Sequence, residues 1–121
     1  MAESLAESFG RTIRALRKAG GISQRELAER AGIDFTYLSK IENDRMPPPS
    51  ESTIRAMAQV LQTDADELIR LAGKVPSDLA EYLIGEPLAI KFLRSTQGDV
   101  MTSEDWSELL RSVKRRKEGA E

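Results

Sequence analysis

The sequence predicts an all-α fold, and three observations predict it. Apolar residues recur at spacings of three and four along most of the chain, which is the period of a helix with one buried face. Serine, threonine or aspartate stands ahead of most of these runs, where a side-chain oxygen can accept from free backbone N–H groups. No segment alternates with period two for long enough to form a strand.

The elements follow in order. Leu5, Phe9, Ile13 and Leu16 form the stripe of a first helix, with Arg11, Arg14, Arg17 and Lys18 between them and Gly20-Gly21 at its end. Ser23 and Glu26 form a capping box that opens a second helix through Leu27, Ala28 and Ala31 to Gly32. Asp34 caps a third, which buries Leu38 and Ile41 and ends at Asn43, a residue suited to the left-handed position. The three prolines 47–49 impose an extended linker, after which Ser50 caps a fourth helix with Ile54, Met57, Ala58 and Leu61 on one face. Asp64 and Glu67 box a fifth helix, which carries Leu68, Ile69, Leu71 and Ala72 up to Gly73. Beyond Val75-Pro76 come three more, over 77–84, 86–93 and 102–117, the last opened by a Thr102/Asp105 capping box. The organisation is therefore a five-helix domain over 1–74 and a helical segment over 75–121.

Composition narrows the function. At 121 residues the chain holds one small domain and an appendage, not a multidomain enzyme. It has no cysteine and no histidine, which removes disulfides, thiolate nucleophiles, the commonest metal ligand and the commonest general base. No enzymatic role, metal or cofactor is expected. The net charge of −2 singles out no partner, and without a long apolar run or an apolar leader the protein is expected to stay in the cytoplasm, away from membranes.

The informative block is Ser23 to Arg45, SQRELAERAGIDFTYLSKIENDR: a short helix, a turn carrying Gly32, and a second short helix with one polar face left free. This block, with RALRKAGG ahead of it and the run from Pro49 to Leu61 behind, resembles the Cro/cI-type helix-turn-helix family, also called the XRE family, from Phe9 to Gly73. The resemblance implies a lambda-repressor-like five-helix DNA-binding domain whose third helix enters the major groove of double-stranded DNA. It implies that Gln24, at the amino end of the second helix, binds a phosphate, and that Phe35, Thr36 and Lys40 read bases. Lys40 suits guanine O6/N7, and Phe35 or the Thr36 methyl suits a thymine methyl. The third helix is expected to expose Phe35, Thr36, Tyr37, Ser39 and Lys40, with Tyr37, Asn43 and Arg45 suited to phosphate contact. Phe35 has a second use open to it, folding back on its own helix as a hydrophobic staple. The resemblance also pairs Arg17 with Glu42, fixing the third helix and leaving Arg17 near a phosphate. The chain departs from the family after Asn43, where the family usually has glycine and this sequence has Asp44, a negative charge and a residue less easily left-handed. Net charge up to Arg45 is only +1, so affinity must come from where charges sit.

The three helices beyond Pro76 are too small to enclose a core and need a partner surface. Trp106, Leu109, Leu110 and Val113 share one face of the last helix and are expected to be buried in a homodimer. The cations 114–117 complement the dipole at that helix's carboxyl end. This part also looks, more loosely, like repressors partnered with ImmA/IrrE-type zinc metallopeptidases, which makes a regulatory protein partner a further expectation. The sequence is thus read as a homodimeric transcriptional repressor on a palindromic operator; the alternative is an antitoxin or adaptor whose C-terminal helices grip a toxin, protease or peptide.

Overall fold

A computed structural model describes residues 8–98 and 101–119, which contain eight helices and no strand. They are α1 (Phe9–Ala19), α2 (Gln24–Ala31), α3 (Phe35–Glu42), α4 (Glu51–Leu61), α5 (Ala65–Leu71), α6 (Ser77–Ile84), α7 (Pro87–Gln97) and α8 (Ser103–Gly119). Leu5, expected on the α1 stripe, lies outside the described residues. The chain divides into two compact units between Leu79 and Ala80. The sequence reading places a boundary at 74/75; beyond it the Ser77 N–H donates to Glu51 Oε1 at 3.1 Å, tying the start of α6 to α4.

In the first unit one apolar cluster joins all five helices: Phe9 and Ile13 of α1, Leu27 and Ala28 of α2, Leu38 and Ile41 of α3, Ile54, Met57, Ala58 and Val60 of α4, and Leu68 and Ile69 of α5. Burying a large aliphatic side chain contributes about 1.5–3 kcal/mol, so these stripes hold helices that are individually too short to persist in water. Leu16 and Leu61 sit at the rim of the cluster rather than inside it, and Val60 takes the buried place on α4.

The expected caps form with differences of detail. Ser8, Ser23 and Ser50 each accept from the backbone N–H three residues on, whereas Asp34 and Asp64 accept from the N–H two residues on. The Glu26 side chain meets Arg30 one turn along. Thr102 and Asp105 make both bonds of their box, each at 3.0 Å. The end of α3 corrects the sequence reading: Asn43 has φ −97°, and Asp44 is the left-handed residue at φ +60°. The Asp44 and Arg45 N–H groups donate back to Ile41 O and Lys40 O, so the turn needs a positive φ one residue later than the sequence suggested. Gln62, at φ +57°, ends α4 in the same conformation with no glycine to announce it.

Gly10 fixes how closely α1 approaches α3. A Cβ there would fall well inside van der Waals contact with the Ile41 carbonyl oxygen and 2.8 Å from Asp44 Oδ1, so only hydrogen fits.

In the second unit no residue of α7 or α8 is buried. Phe92 and Trp106 pack edge to face with ring centroids 6.3 Å apart, and Trp106 remains 40% exposed. Trp106, Leu109, Leu110 and Val113, expected to be buried in a homodimer, are exposed in the single chain. No described helix is long and apolar enough to cross a membrane.

Gly10→Ala should cost about 1–3 kcal/mol of unfolding free energy, the usual penalty of overpacking against backbone that cannot yield. Urea denaturation checks it, and an unchanged midpoint would mean that α1 can shift away from α3.

Candidate nucleic-acid interface

The geometry of the helix-turn-helix begins at the end of α2. Gly32 takes φ +76°, and the Gly32 and Ile33 N–H groups donate to the Glu29 and Ala28 carbonyls, turning the chain sharply toward α3. Leu38 and Ile41 then drop into the core and orient α3 about its own axis. Thr36, Ser39, Lys40 and Asn43 follow one another at i, i+3, i+4 and i+7, so they share the opposite face. Thr36, Lys40 and Asn43 are exposed and Ser39 is half-buried. Asn43 Nδ2 donates to the Ser39 carbonyl at 2.9 Å.

Phe35 and Tyr37, expected on the exposed side, are half-buried and pack against the apolar cluster. Phe35 is the first residue of α3 and Tyr37 flanks Leu38, so both sit at the edge of the buried stripe. The Phe35 ring is covered by Arg25, whose guanidinium carbon lies 4.6 Å from the ring centroid. This contact had no signal in the sequence, because it joins the second residue of α2 to the first of α3 across the turn.

α3 is also clamped from behind. Arg17 of α1 donates from Nε to Glu42 Oε2 at 2.8 Å and from Nη2 to Oε1 at 3.0 Å, a two-pronged pair in which the side chains are 10% and 1% exposed. Arg17 Nη1 donates to the Ile22 carbonyl, and Gln24 Nε2 to Glu42 Oε1 at 2.9 Å. One network thus joins α1, the α1–α2 turn, the start of α2 and the end of α3. No described buried side-chain polar atom lacks a partner, so the charges are compensated where they are desolvated. Arg17 therefore faces inward and acts as a strut. Gln24 commits one amide N–H to Glu42 and keeps the other.

A cleft beside this network is lined by Arg14, Arg17, Ser23, Gln24, Ser39 and Asn43. It brings the amino end of α2, where backbone N–H groups point outward, next to the Arg14 side chain, and such a place suits an anion. Arg14 reads in the sequence as one of several charges on α1, and only the folded arrangement brings it here.

Charge placement distinguishes the two kinds of cation in this unit. Arg30 is paired with Glu26, Arg55 with Glu51 and Arg70 with Glu67. Arg14, Arg25, Lys40 and Arg45 carry no ion pair among the described residues, as is also true of Arg11 and Lys18 on α1. The helix-turn-helix side thus offers uncompensated positive charge although the chain as a whole is negative. Asp44 is the opposing charge nearest the end of α3.

A family model described as a helix-turn-helix domain matches residues 8–71. The chain belongs to this helix-turn-helix family. The match covers nearly the same residues as the motifs that resemble the XRE-type regulators. The HTH-type transcriptional regulator YazB of Bacillus subtilis (strain 168) is 43% identical over 63 residues, which are 52% of this chain and 90% of YazB. RghRB and the transcriptional repressor RghR of the same organism are 34% and 33% identical, over 60% and 57% of this chain and 55% and 51% of their own lengths. The chain thus spans about half the length of these two relatives. A crystal structure of SinR, described as a master regulator for biofilm formation, in complex with DNA is 36% identical over 50% of this chain and 97% of that one, with a TM-score of 0.48. These proteins are named as regulators of transcription, none as an enzyme.

Glu42→Ala should cost about 3–5 kcal/mol, because it leaves the Arg17 guanidinium buried without its counter-charge. Thermal or urea unfolding of the variant measures this; a loss below about 1 kcal/mol would mean that Arg17 escapes to solvent and that the pair does not hold α3.

Proposed function

We propose that the protein is a transcriptional repressor that binds a palindromic operator in double-stranded DNA as a homodimer. The observation that carries this reading is the outward stripe Thr36, Ser39, Lys40 and Asn43 on a helix held rigidly from behind by Arg17, Glu42 and Gln24. A helix presented in this way fits the major groove, where Lys40 donates to guanine and the Thr36 methyl meets a thymine methyl. Gln24, with its remaining amide N–H, and Arg14 hold one phosphate from the cleft beside α2. Asn43, Arg45 and Tyr37 face the phosphates at the edges of the groove. Contacts of this kind set the register of the protein on DNA, and the stripe supplies the sequence preference.

A single helix of this size reads only a few base pairs, so selectivity among many competing sites calls for two of them about one turn of DNA apart. The C-terminal helices supply the second copy in this reading. Trp106, Leu109, Leu110 and Val113 expose an apolar face that a lone chain leaves in water, and joining two such faces buries it. Joining the chains also makes the second half-site contact intramolecular in effect. The sign of control in this reading is taken from RghR, a relative named as a transcriptional repressor. The same exposed face supports a second reading, in which it holds a different protein, such as a regulatory metallopeptidase or a toxin, and DNA binding is secondary.

Selection from a random DNA pool with the full chain should return an inverted repeat with half-site centres about 34 Å apart. Leu110→Glu should sediment as a monomer and bind the selected site about 100-fold more weakly. A single asymmetric site, bound equally well by the parent and Leu110→Glu, would remove the dimer and favour the second reading.

A further inference from the structure

The contact between Arg25 and Phe35 has no part in the roles assigned above. Arg25 is the second residue of α2 and Phe35 the first of α3, and the guanidinium lies over the ring at 4.6 Å from its centroid. Phe35 is half-buried and packed against the core, so the plane of its ring is set by the fold. Arg25 is exposed and has no carboxylate partner among the described residues. Two other arginines of the helix-turn-helix region are held by acids, Arg17 by Glu42 and Arg30 by Glu26. Arg25 rests instead on an aromatic face, which places the guanidinium at the start of α3 without engaging any of its five N–H donors.

We propose that Arg25, positioned by Phe35, is a base-reading residue that donates to guanine O6 and N7 at the end of the half-site nearest the start of α3. Residues at the amino end of a recognition helix are those that face base edges, and the stack places the Arg25 guanidinium at that end. The planar fork matches the two acceptors of guanine, and this match is lost when the plane rotates. The same fork also grips phosphate, so it is the place of the Arg25 guanidinium at the amino end of α3 that favours a base edge. Phe35 therefore acts through Arg25 and not by touching a thymine methyl. This inference rests on the DNA-binding reading above.

The test uses the full chain. A preferred site is first selected from random DNA by the parent protein, and affinities for all its single-base variants are then measured for Arg25→Ala, Arg25→Lys, Phe35→Leu and Phe35→Tyr. Arg25→Ala should lose about 10- to 100-fold at the preferred site and lose discrimination at one guanine-containing base pair. Arg25→Lys keeps the charge and should lose the same discrimination; Phe35→Leu should lose part of it at the same base pair; Phe35→Tyr, which keeps the ring, should retain it. Circular dichroism reports whether each variant is folded, and if Phe35→Leu is not, the contrast between Phe35→Tyr and Arg25→Lys carries the test. Equal weakening of every DNA variant by Arg25→Ala would make it a phosphate contact and overturn the proposal. Intact discrimination in a folded Phe35→Leu would overturn the role given to the ring. A parent protein that selects no sequence would defeat the DNA-binding reading itself, an outcome distinct from either.

Discussion

The buried pair between Arg17 and Glu42 is the constraint on which the rest of the arrangement depends. α3 has only eight residues, and its two buried apolar side chains, Leu38 and Ile41, fix its rotation but hold its carboxyl end weakly. Glu42 is the last residue of that helix, and the two hydrogen bonds from Arg17 set both its distance and its angle to α1. A bidentate contact in a desolvated place is directional in a way that apolar packing is not. Gln24 joins the same carboxylate, so the start of α2 is registered against the end of α3 by the same atoms. A residue of α3 that faces outward consequently does so at a defined height above the anion-suited cleft.

The second constraint is electrostatic and works by subtraction. Exposed ion pairs such as Arg30 with Glu26 or Arg55 with Glu51 add little to stability, typically under about 1 kcal/mol, but they neutralise the surfaces on which they lie. What remains without an ion pair on the helix-turn-helix side, among the described residues, is Arg14, Arg25, Lys40 and Arg45 together with Arg11 and Lys18, which outnumber the unpaired acids Glu29, Asp34 and Asp44. A chain with net charge −2 can thereby present a locally positive surface, and local contacts, not total charge, decide how many counterions a polyanion releases. Asp44 works against this field and also spends backbone energy, since a non-glycine residue in the left-handed region costs about 1–2 kcal/mol.

Much of the first unit was legible because its determinants are local. The caps at Ser23, Asp34 and Ser50 and the stripe Ile54, Met57, Ala58 are written within single turns of helix. The pairing of Arg17 with Glu42, distant in sequence, was legible only through the resemblance to a family. What escaped depends on close approach between helices. Gly10 looks like any small residue until α3 is laid across it, and Asp44 rather than Asn43 takes the positive φ because the hydrogen bonds of the turn require it there. Phe35 was open to two uses in the sequence, and the stack with Arg25 is a third that no spacing rule encodes. In the C-terminal helices the spacing marked the apolar face of Trp106, Leu109, Leu110 and Val113, which the single chain leaves exposed.

The central claim is that placed, unpaired cations around a rigidly held α3 make this surface a DNA-binding one despite the acidic balance of the chain. Affinity of the full chain for its selected site, measured as a function of salt, tests it most directly. With three or four cations from each chain of the proposed dimer against phosphates, binding should weaken by about 10³-fold between roughly 50 and 200 mM salt. A change of less than about threefold over that range would contradict the account, because an interface built from these side chains cannot form without releasing counterions.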